Sequence, residues 1–211
     1  MADFFARNRT RWQRANGSMT ESVTALDAPN DWKDGWWRFA EQLESPNVDD
    51  RPASVVVDMV VIHHISLPKN LFGTRQAHAL FLNRLDPAAH PDFAALADLR
   101  VSAHFLIERT GRLTQFVSCE RRAWHAGVSE WQGRTRCNDF SIGIELEGSE
   151  TQGFEDEQYA VLNRLLAALR QRYPIVHHVG HSDIAPGRKV DPGPYFDWRR
   201  LWFGPGKLKG S

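Results

Sequence analysis

The sequence predicts an α/β fold in which a single mixed β-sheet carries helices on both faces. Residues 54–65 form a nearly continuous apolar, β-branched run, which is typical of a central strand buried on both sides. Residues 156–172 place apolar side chains at helical spacing. Residues 101–108 and 113–117 are predicted as two further strands, with Gly111 in the tight turn between them. Since hairpin and helical connections occur in one chain, the sheet should be mixed.

The composition suits one domain of ordinary size. The chain has 211 residues, of which 42% are hydrophobic, enough for a real core. Its 26 Lys and Arg residues balance 26 Asp and Glu residues, so nothing favours a nucleic-acid partner. No stretch approaches the roughly 18 apolar residues that a membrane span requires. We therefore expect neither nucleic acid nor membrane as a partner, and we expect a monomer.

Cysteine usage and the N-terminal residues favour a cytoplasmic location. Cys119 and Cys137 form neither a disulfide framework nor a CxxC metal pair, and both are expected to be reduced thiols. Residues 1–17 contain four arginines but no continuous apolar segment and no cleavage site for a signal peptide.

Three segments are expected along the chain. Residues 1–30 are polar and weakly periodic, so we predict an N-terminal extension that is partly ordered at best. Residues 31–203 form the domain, and residues 204–211 form a flexible tail. Three tryptophans between positions 32 and 37 should pack onto the domain surface or line a cleft, because their exposure would create an apolar patch.

The first half of the domain should also contain two short helices, at residues 76–85 and 93–99. Residues 121–138 are predicted as a long loop, and loops of that length in a compact domain are often functional. A strand then follows at residues 140–146, with Glu145 and Glu147 on the face opposite its apolar side chains.

The C-terminal part of the domain is dominated by the helix at residues 156–172. Pro174 ends that helix, and a short strand at residues 175–179 follows it. A last turn of helix is predicted at residues 198–203.

The stretch from Gly180 to Pro194 concentrates ionisable side chains between prolines and glycines, which favour loop geometry. It follows the last predicted strand and begins with His181. If residues 189–191 are extended, Lys189 and Asp191 share a face. The stretch therefore indicates a metal or acid–base site, and the alternative is a salt bridge in a rigid surface loop.

A second histidine is available at the end of the first strand. His63 and His64 are neighbours there, so they point to opposite faces and at most one can face the site. Either imidazole, together with His181 and Asp191, would make a three-ligand zinc set that leaves a fourth position for water. The residues alone leave the choice between His63 and His64 open. The other candidate histidines are interpreted as structural: His78, His90, His104 and His177.

Six motifs resemble those of the zinc-dependent N-acetylmuramoyl-L-alanine amidases. They are VIHHISLP at 61–68, VSAH at 101–104, WHAG at 124–127, NDFSIGIELEG at 138–148, GHSDIAP at 180–186 and RKVDPGP at 188–194. The resemblance covers about residues 32–201, and it is strongest to the cytoplasmic AmpD-type branch, which cuts anhydro-muramyl peptides during cell-wall recycling. It implies the mixed-sheet fold that these amidases share with peptidoglycan-recognition proteins.

The resemblance implies Zn²⁺ at His63, His181 and Asp191, which selects His63 over His64. It also implies that Glu145 and Lys189 are the catalytic residues. The substrate would be a muropeptide. By the same resemblance, its contacts are expected from His64, Arg100, Trp124, His125 and Arg136. The family commonly has Asn at the position of His64, so the peptide contacts there should differ.

The expected reaction is hydrolysis of the amide that joins N-acetylmuramic acid, expected in its anhydro form, to L-alanine of the stem peptide. Glu145 would take a proton from water and pass it to the leaving amine, and Lys189 would stabilise the oxyanion. Two alternatives are a recognition module that binds peptidoglycan without cutting it and a lytic amidase that attacks intact cell wall. The complete ligand set argues against the first, and the absence of a signal peptide disfavours an exported form of the second.

Overall fold

The computed structural model describes residues 31–202. The predicted extension at residues 1–30 and the predicted tail at residues 204–211 lie outside this range. None of the helices between residues 31 and 202 combines the length and apolar character that a membrane crossing needs.

Twelve strands are present in the described range, most of them short. In chain order they are β1 (Trp32–Lys33), β2 (Trp36–Trp37), β3 (Glu41–Gln42), β4 (Val48–Asp50), β5 (Met59–Ile65), β6 (Phe105–Ile107), β7 (Leu113–Gln115), β8 (Arg121–Ala123), β9 (Glu130–Trp131), β10 (Arg134–Thr135), β11 (Ser141–Glu147) and β12 (His177–Gly180). The α-helices are α1 (Gln76–Phe81), α2 (Asp156–Arg172) and α3 (His181–Ile184), and 3₁₀ turns occupy Pro91–Leu96, Cys137–Asp139 and Trp198–Arg200.

Six of these strands form the central mixed sheet, in the order β12-β5-β11-β6-β7-β3. β12, β5, β11 and β6 run parallel to their neighbours, whereas β6 and β7 form the antiparallel hairpin. The hairpin turns at Gly111, whose φ of +78° is the left-handed conformation expected of that position. The mixed sheet predicted from the two kinds of connection is confirmed.

Helices cover both faces of this sheet, as predicted. α2 packs against the face that carries Ile142, Ile144 and Leu146, and its apolar stripe is fully buried there. Its N-terminus has a capping box, in which Gln158 Oε1 accepts the backbone N–H of Glu155 at 3.0 Å. α1 lies on the opposite face, where Leu80 and Phe81 join a second apolar cluster. The second face is also the one that carries the candidate site.

The first long strand is shorter than predicted. β5 begins at Met59 rather than at residue 54, because Ser54 adopts a φ of +64° and Val56 is 57% exposed. The strand predicted at residues 101–108 is likewise reduced to β6. Ahead of β6, the backbone N–H of Ser102 bonds to Trp124 O and that of His104 bonds to Gly143 O, both outside the β6–β7 ladder.

The segment predicted as a long loop at residues 121–138 contains regular structure instead. β8 pairs with β4, β9 pairs with β10, and a 3₁₀ turn completes the segment. β9 and β10 are joined by Gln132 and Gly133, with φ values of +50° and +79°, a two-residue turn suited to the twist of a hairpin. Strands of two residues are too short to show an alternating pattern in the sequence.

The tryptophans at the start of the domain form a hairpin that packs onto the core. β1 and β2 are joined by Asp34 and Gly35, and both of these residues have positive φ. Trp37 is 2% exposed, and its backbone N–H donates to Gln115 Oε1 at 2.8 Å. The three tryptophans were expected to pack onto the domain surface or to line a cleft, and this hairpin agrees with packing onto the domain.

Candidate metal centre and active site

Three side chains converge at the C-terminal end of the sheet. His63 Nδ1 lies 3.0 Å from His181 Nδ1 and 3.0 Å from Asp191 Oδ2, and His181 Nδ1 lies 3.1 Å from the same oxygen. The three atoms form an almost equilateral triangle of buried residues. Tetrahedral zinc with bonds of about 2.0–2.1 Å spaces its ligand atoms by roughly 3.3–3.4 Å. The triangle is close to that size, so the three ligand atoms fit one such ion.

The sheet delivers the two histidines as neighbours. His63 lies near the end of β5, and His181 directly follows Gly180, which pairs with Ile62 in the parallel ladder between β12 and β5. The loop that carries Asp191 returns against this strand end, where Ser182 N donates to Asp191 O at 2.9 Å. A Cβ on Gly180 would lie 2.6 Å from Pro192 Cδ, so glycine is what lets the loop approach.

The electrostatics of the triangle favour a cation. His181 Nε2 lies 3.0 Å from Ala126 O, and a carbonyl only accepts, so the proton is on Nε2 and Nδ1 presents a lone pair. Asp191 Oδ2 brings a carboxylate oxygen against Nδ1 of His63 and Nδ1 of His181, at 3.0 and 3.1 Å. Burial lowers the pKa of His63 to about 4, which keeps this imidazole neutral at pH 7. A carboxylate and neutral imidazole nitrogens are ligands that zinc accepts.

A cavity of about 240 Å³ opens beside the triangle. One side of it is polar and is formed by the three candidate ligands with Glu145, Lys189, His64, Trp124 and His125. The other side is mostly apolar and is formed by Ile65, Leu67, Leu80, Phe81, Leu96, Leu99 and Val101, with Ser102. The cavity can therefore hold a molecule with one polar and one apolar part.

Glu145 is a buried carboxyl on the polar side of the cavity. It is 9% exposed, and burial raises its pKa well above the usual glutamate range, with the charge of Asp191 adding to the increase and that of Lys189 opposing it. Within residues 31–202, Glu145 Oε2 has no hydrogen-bond partner. A carboxyl of this kind is available to accept and release a proton.

Lys189 lies on the exposed rim of the same cavity. Its backbone N–H donates to Ala185 O at 3.0 Å, which fixes the loop, and its side chain is among the cavity-lining groups. The charge of Lys189 lowers the pKa of Glu145 and contributes to the lowered pKa of His63, so it acts on the whole polar side.

Three residues expected to contact substrate also line the cavity. His64 is half-buried, and burial lowers its pKa. Trp124 donates through Nε1 to Asp49 Oδ1 at 3.1 Å, so the indole is held at the rim. The imidazole of His125 is different, because its Nδ1 lies 3.0 Å from His63 Nε2 and its Nε2 lies 3.2 Å from Ser141 Oγ. His125 therefore contacts a candidate ligand from behind.

Two arginines expected to contact substrate do not line this cavity. Arg100 is exposed, and its Nη1 donates to Ala97 O at 3.1 Å and Leu99 O at 3.2 Å. Arg136 pairs with Asp139 at 3.2 Å and lines a separate groove of about 740 Å³. The structure thus brings eight of the ten predicted residues together and leaves these two apart, and their role in binding stays a prediction.

Some contributors to the site were not anticipated from the sequence. Three residues of the apolar wall, Leu80, Phe81 and Leu96, come from α1 and the Pro91–Leu96 turn, which were predicted as helices without a link to the site. Asn138 Oδ1 accepts the backbone N–H groups of His125 at 3.1 Å and Ala126 at 2.8 Å, and its place in a motif was the available signal. Half-buried Arg51 donates to the carbonyls of Asn138, Asp139 and Ser141, and nothing in the sequence marks it.

The chain is similar to proteins of one known family. The family model described as N-acetylmuramoyl-L-alanine amidase matches residues 52–194. The 1,6-anhydro-N-acetylmuramyl-L-alanine amidase AmpD of Citrobacter freundii is 52% identical over 170 residues, which is 80% of this chain and 91% of that protein. The AmpD of Escherichia coli strain K12 is 52% identical over 169 residues, or 79% of this chain and 92% of that protein.

Solved structures are similar as well. A crystal structure of a selenomethionine AmpD derivative matches with a TM-score of 0.79 at 52% identity, over 80% of this chain and 96% of that one. The E. coli amidase AmiD, in complex with anhydro-N-acetylmuramic acid-L-Ala-D-gamma-Glu-L-Lys, matches with a TM-score of 0.52 at 34% identity, over 72% and 59% of the two chains. The Apis mellifera protein PGRP-SA shares the fold, with a TM-score of 0.53 at 13% identity over 79% of this chain and 99% of that one.

Proposed function

The chain belongs to the N-acetylmuramoyl-L-alanine amidase family, and on that premise we propose how its own residues carry out the reaction. The protein is a hydrolase of peptidoglycan recycling that cleaves the amide between anhydro-N-acetylmuramic acid and L-alanine. The observation that carries the proposal is the triangle of His63, His181 and Asp191 in a cavity that Glu145 also lines.

In this proposal, His63, His181 and Asp191 hold one Zn²⁺ ion. Two features support it: the ligand atoms are 3.0–3.1 Å apart, and they are one carboxylate oxygen and two imidazole nitrogens. Zinc supplies a Lewis acid for the substrate carbonyl and lowers the pKa of a water molecule to about 7. Three protein ligands suit a catalytic site, since they leave room for water and substrate.

Glu145 is proposed as the residue that moves the proton. Its carboxyl is buried, burial raises its pKa well above that of an ordinary glutamate, and within residues 31–202 Oε2 has no hydrogen-bond partner. Glu145 takes a proton from the attacking water and passes it to the amine of L-alanine as the amide bond breaks. A raised pKa makes this carboxylate a stronger base than that of an ordinary glutamate.

Lys189 is proposed to stabilise the negative charge that forms on the substrate carbonyl oxygen. Its position at the rim beside Glu145 and Asp191 supports this role, as does the effect of its charge on the pKa of Glu145. Preorganised positive groups of this kind act where charge develops in the transition state.

The muropeptide is proposed to enter by this cavity, with its reacting amide at the polar side. The sequence-based expectations of a monomer, of a cytoplasmic location, and of neither nucleic acid nor membrane as partner are retained as part of this proposal. A cytoplasmic location agrees with a substrate that is a recycled fragment rather than intact wall.

The deciding experiment measures zinc content and the release of L-alanyl peptide by the purified chain. Metal-stripped protein should be inactive on anhydro-muramyl peptide, and stoichiometric zinc should restore it. A His63→Ala variant should bind no zinc, whereas His90→Ala, a histidine outside the cavity, should behave as wild type. Folded protein that binds no zinc, or that binds muropeptide without cleaving it, would contradict the proposal. Faster cleavage of intact sacculi would favour the lytic alternative.

A further inference from the structure

His125 belongs to a motif of the family resemblance, and both nitrogens of its imidazole are engaged, Nδ1 by His63 Nε2 at 3.0 Å and Nε2 by Ser141 Oγ at 3.2 Å. We infer that His125, backed by Ser141, is a positioning residue that keeps the proton of His63 on Nε2 and leaves Nδ1 free for the metal. The same short segment, His125–Ala126, fixes the second histidine through Ala126 O. This inference rests on the proposed function, because it concerns the ligands of the proposed zinc site.

The direction of each hydrogen bond follows from one backbone carbonyl. Cys137 O can only accept, and Ser141 Oγ donates to it at 2.5 Å. The single hydroxyl proton of Ser141 is thereby used, so at 3.2 Å Ser141 Oγ must accept from His125 Nε2–H. A neutral imidazole has one N–H, so His125 Nδ1 is an acceptor. His63 Nε2 must then donate across the remaining 3.0 Å.

The consequence of this chain is that His63 Nδ1 carries a lone pair. That atom is the one that faces His181 Nδ1 and Asp191 Oδ2. On the other histidine, the proton of His181 is fixed on Nε2 by Ala126 O at 3.0 Å. Both imidazoles therefore present unprotonated Nδ1 atoms to the same point before any metal arrives.

The space that His125 occupies depends on a glycine. Gly143 lies on β11 between Ser141 and Glu145, and a Cβ built on it would lie 2.4 Å from His125 Cγ. The backbone of Gly143 is itself fixed, because its N–H donates to His104 Nδ1 at 3.0 Å and its carbonyl accepts from His104 N at 3.0 Å. The strand cannot retreat, so any larger residue at this position displaces the imidazole.

The backbone of the segment is held as firmly as the ring. Asn138 Oδ1 accepts the N–H groups of both His125 and Ala126, and Arg188 Nη2 donates to Ala126 O at 2.8 Å. These contacts hold in place both His125, which bonds to His63, and Ala126 O, which bonds to His181. Hydrogen-bond partners behind a metal ligand typically contribute 10–100-fold to metal affinity.

The test compares zinc affinity, by competition with a chelator, in wild type and three variants. His125→Phe keeps a ring over Gly143 but cannot accept, and it should lose zinc affinity about 10–100-fold. His125→Gln offers an acceptor oxygen, so it should recover part of that loss. Ser141→Ala removes the group that orients His125, and it should weaken zinc binding by a smaller factor.

Matched controls separate this role from a general loss of packing. His78→Gln replaces another buried histidine, and Ser45→Ala removes a buried hydroxyl that also donates to a carbonyl at 2.5 Å. Both controls should retain wild-type zinc affinity even if their stability falls. If His125→Phe remains folded and binds zinc within twofold of wild type, the inference is wrong.

A second measurement tests the tautomers directly, by ¹⁵N NMR of the histidine rings in the metal-free full chain. Wild type should show protonated Nε2 in His63, His125 and His181. A proton on Nδ1 of His63 or His125 would overturn the inference. These tautomers in a protein that binds no zinc would support the positioning role of His125 and refute the zinc function. Zinc-dependent activity that is unchanged in His125→Phe would support the zinc function and refute the positioning role.

Discussion

Glu145 and His63 lie directly opposite each other on the adjacent parallel strands β11 and β5. Register partners in a parallel pair project from the same face of the sheet, so the proposed base and the first candidate ligand emerge side by side. Their separation is therefore set by the backbone ladder between the two strands.

Glu145→Gln should retain zinc but lose most turnover. The amide cannot take a proton from water, and general-base catalysis contributes about 10²–10⁴-fold to rate. The measurement is kcat on anhydro-muramyl peptide, together with zinc content. Glu147→Gln is the control, since Glu147 is also 9% exposed on the same face of β11 but bonds to the backbone of Arg109 and Gly73. Near-normal kcat in Glu145→Gln would remove Glu145 from the mechanism.

Lys189→Met should lower kcat by about 10²–10³-fold while leaving KM nearly unchanged. A charge that acts on the developing oxyanion contributes in the transition state and little in the ground state. Lys33→Met, an exposed lysine on β1, should have no effect on either parameter. A rise in KM with constant kcat would instead mean that Lys189 serves to bind substrate.

Arg136→Ala should raise KM for muropeptides by about tenfold, the scale of one charge-assisted hydrogen bond to a stem carboxylate. Arg136 is paired with Asp139 in this structure, so it must exchange partners when substrate binds. The same test applies to Arg100→Ala. Arg199→Ala removes a comparable exposed ion pair with Asp197 and should not change KM. Equal KM values for wild type and Arg136→Ala would remove Arg136 from the binding site.

Acidification should destabilise the protein through buried histidines. Burial, together with the charge of Arg75, lowers the pKa of His78 to about 4, whereas an unfolded histidine has a pKa of about 6.5. Between these values the unfolded state binds a proton that the folded state does not. Stability is therefore present above pH 6.5 and is lost as pH falls toward 4.

The share due to His78 should be about 1–2 kcal/mol at pH 4.5, after a reduction for solvent screening of its charge. His78→Gln should flatten the pH dependence of the free energy of unfolding by that amount, measured in denaturant between pH 4.5 and 7.5. His90→Gln, a more exposed histidine, serves as the comparison. Parallel profiles for wild type and His78→Gln would contradict the prediction.

Long periodic elements were predictable from the sequence. The helix at Asp156–Arg172 has the predicted bounds, because a 17-residue amphipathic pattern closed by Pro174 has few competing solutions. β11 differs from its prediction by one residue at each end. The sequence also implied that His181 lies near the end of β5. His181 and the His63–His64 pair each lie at the end of a buried strand, and two such strands can lie side by side.

Contacts that join distant segments were not predictable. The hairpin of β9 and β10 depends on a two-residue turn, and its strands are too short to carry a pattern. The role of Arg51 depends on four carbonyl groups from Cys119 to Ser141 that gather around it only in the folded chain. For His125, the WHAG motif of the family resemblance suggested the site, but only the three-dimensional position of Gly143 shows which way its ring must point.

The three strands β12, β5 and β11 lie side by side and parallel, and they space His181, His63 and Glu145 through their shared ladder. A slip of one residue in that ladder would turn every one of these groups to the wrong face. Directed evolution of new muropeptide preferences should therefore leave the ladder untouched. Libraries confined to residues 66–75 and 91–99, which contribute Leu67, Leu96 and Leu99 to the cavity, would vary what the enzyme accepts while its chemistry stays in place.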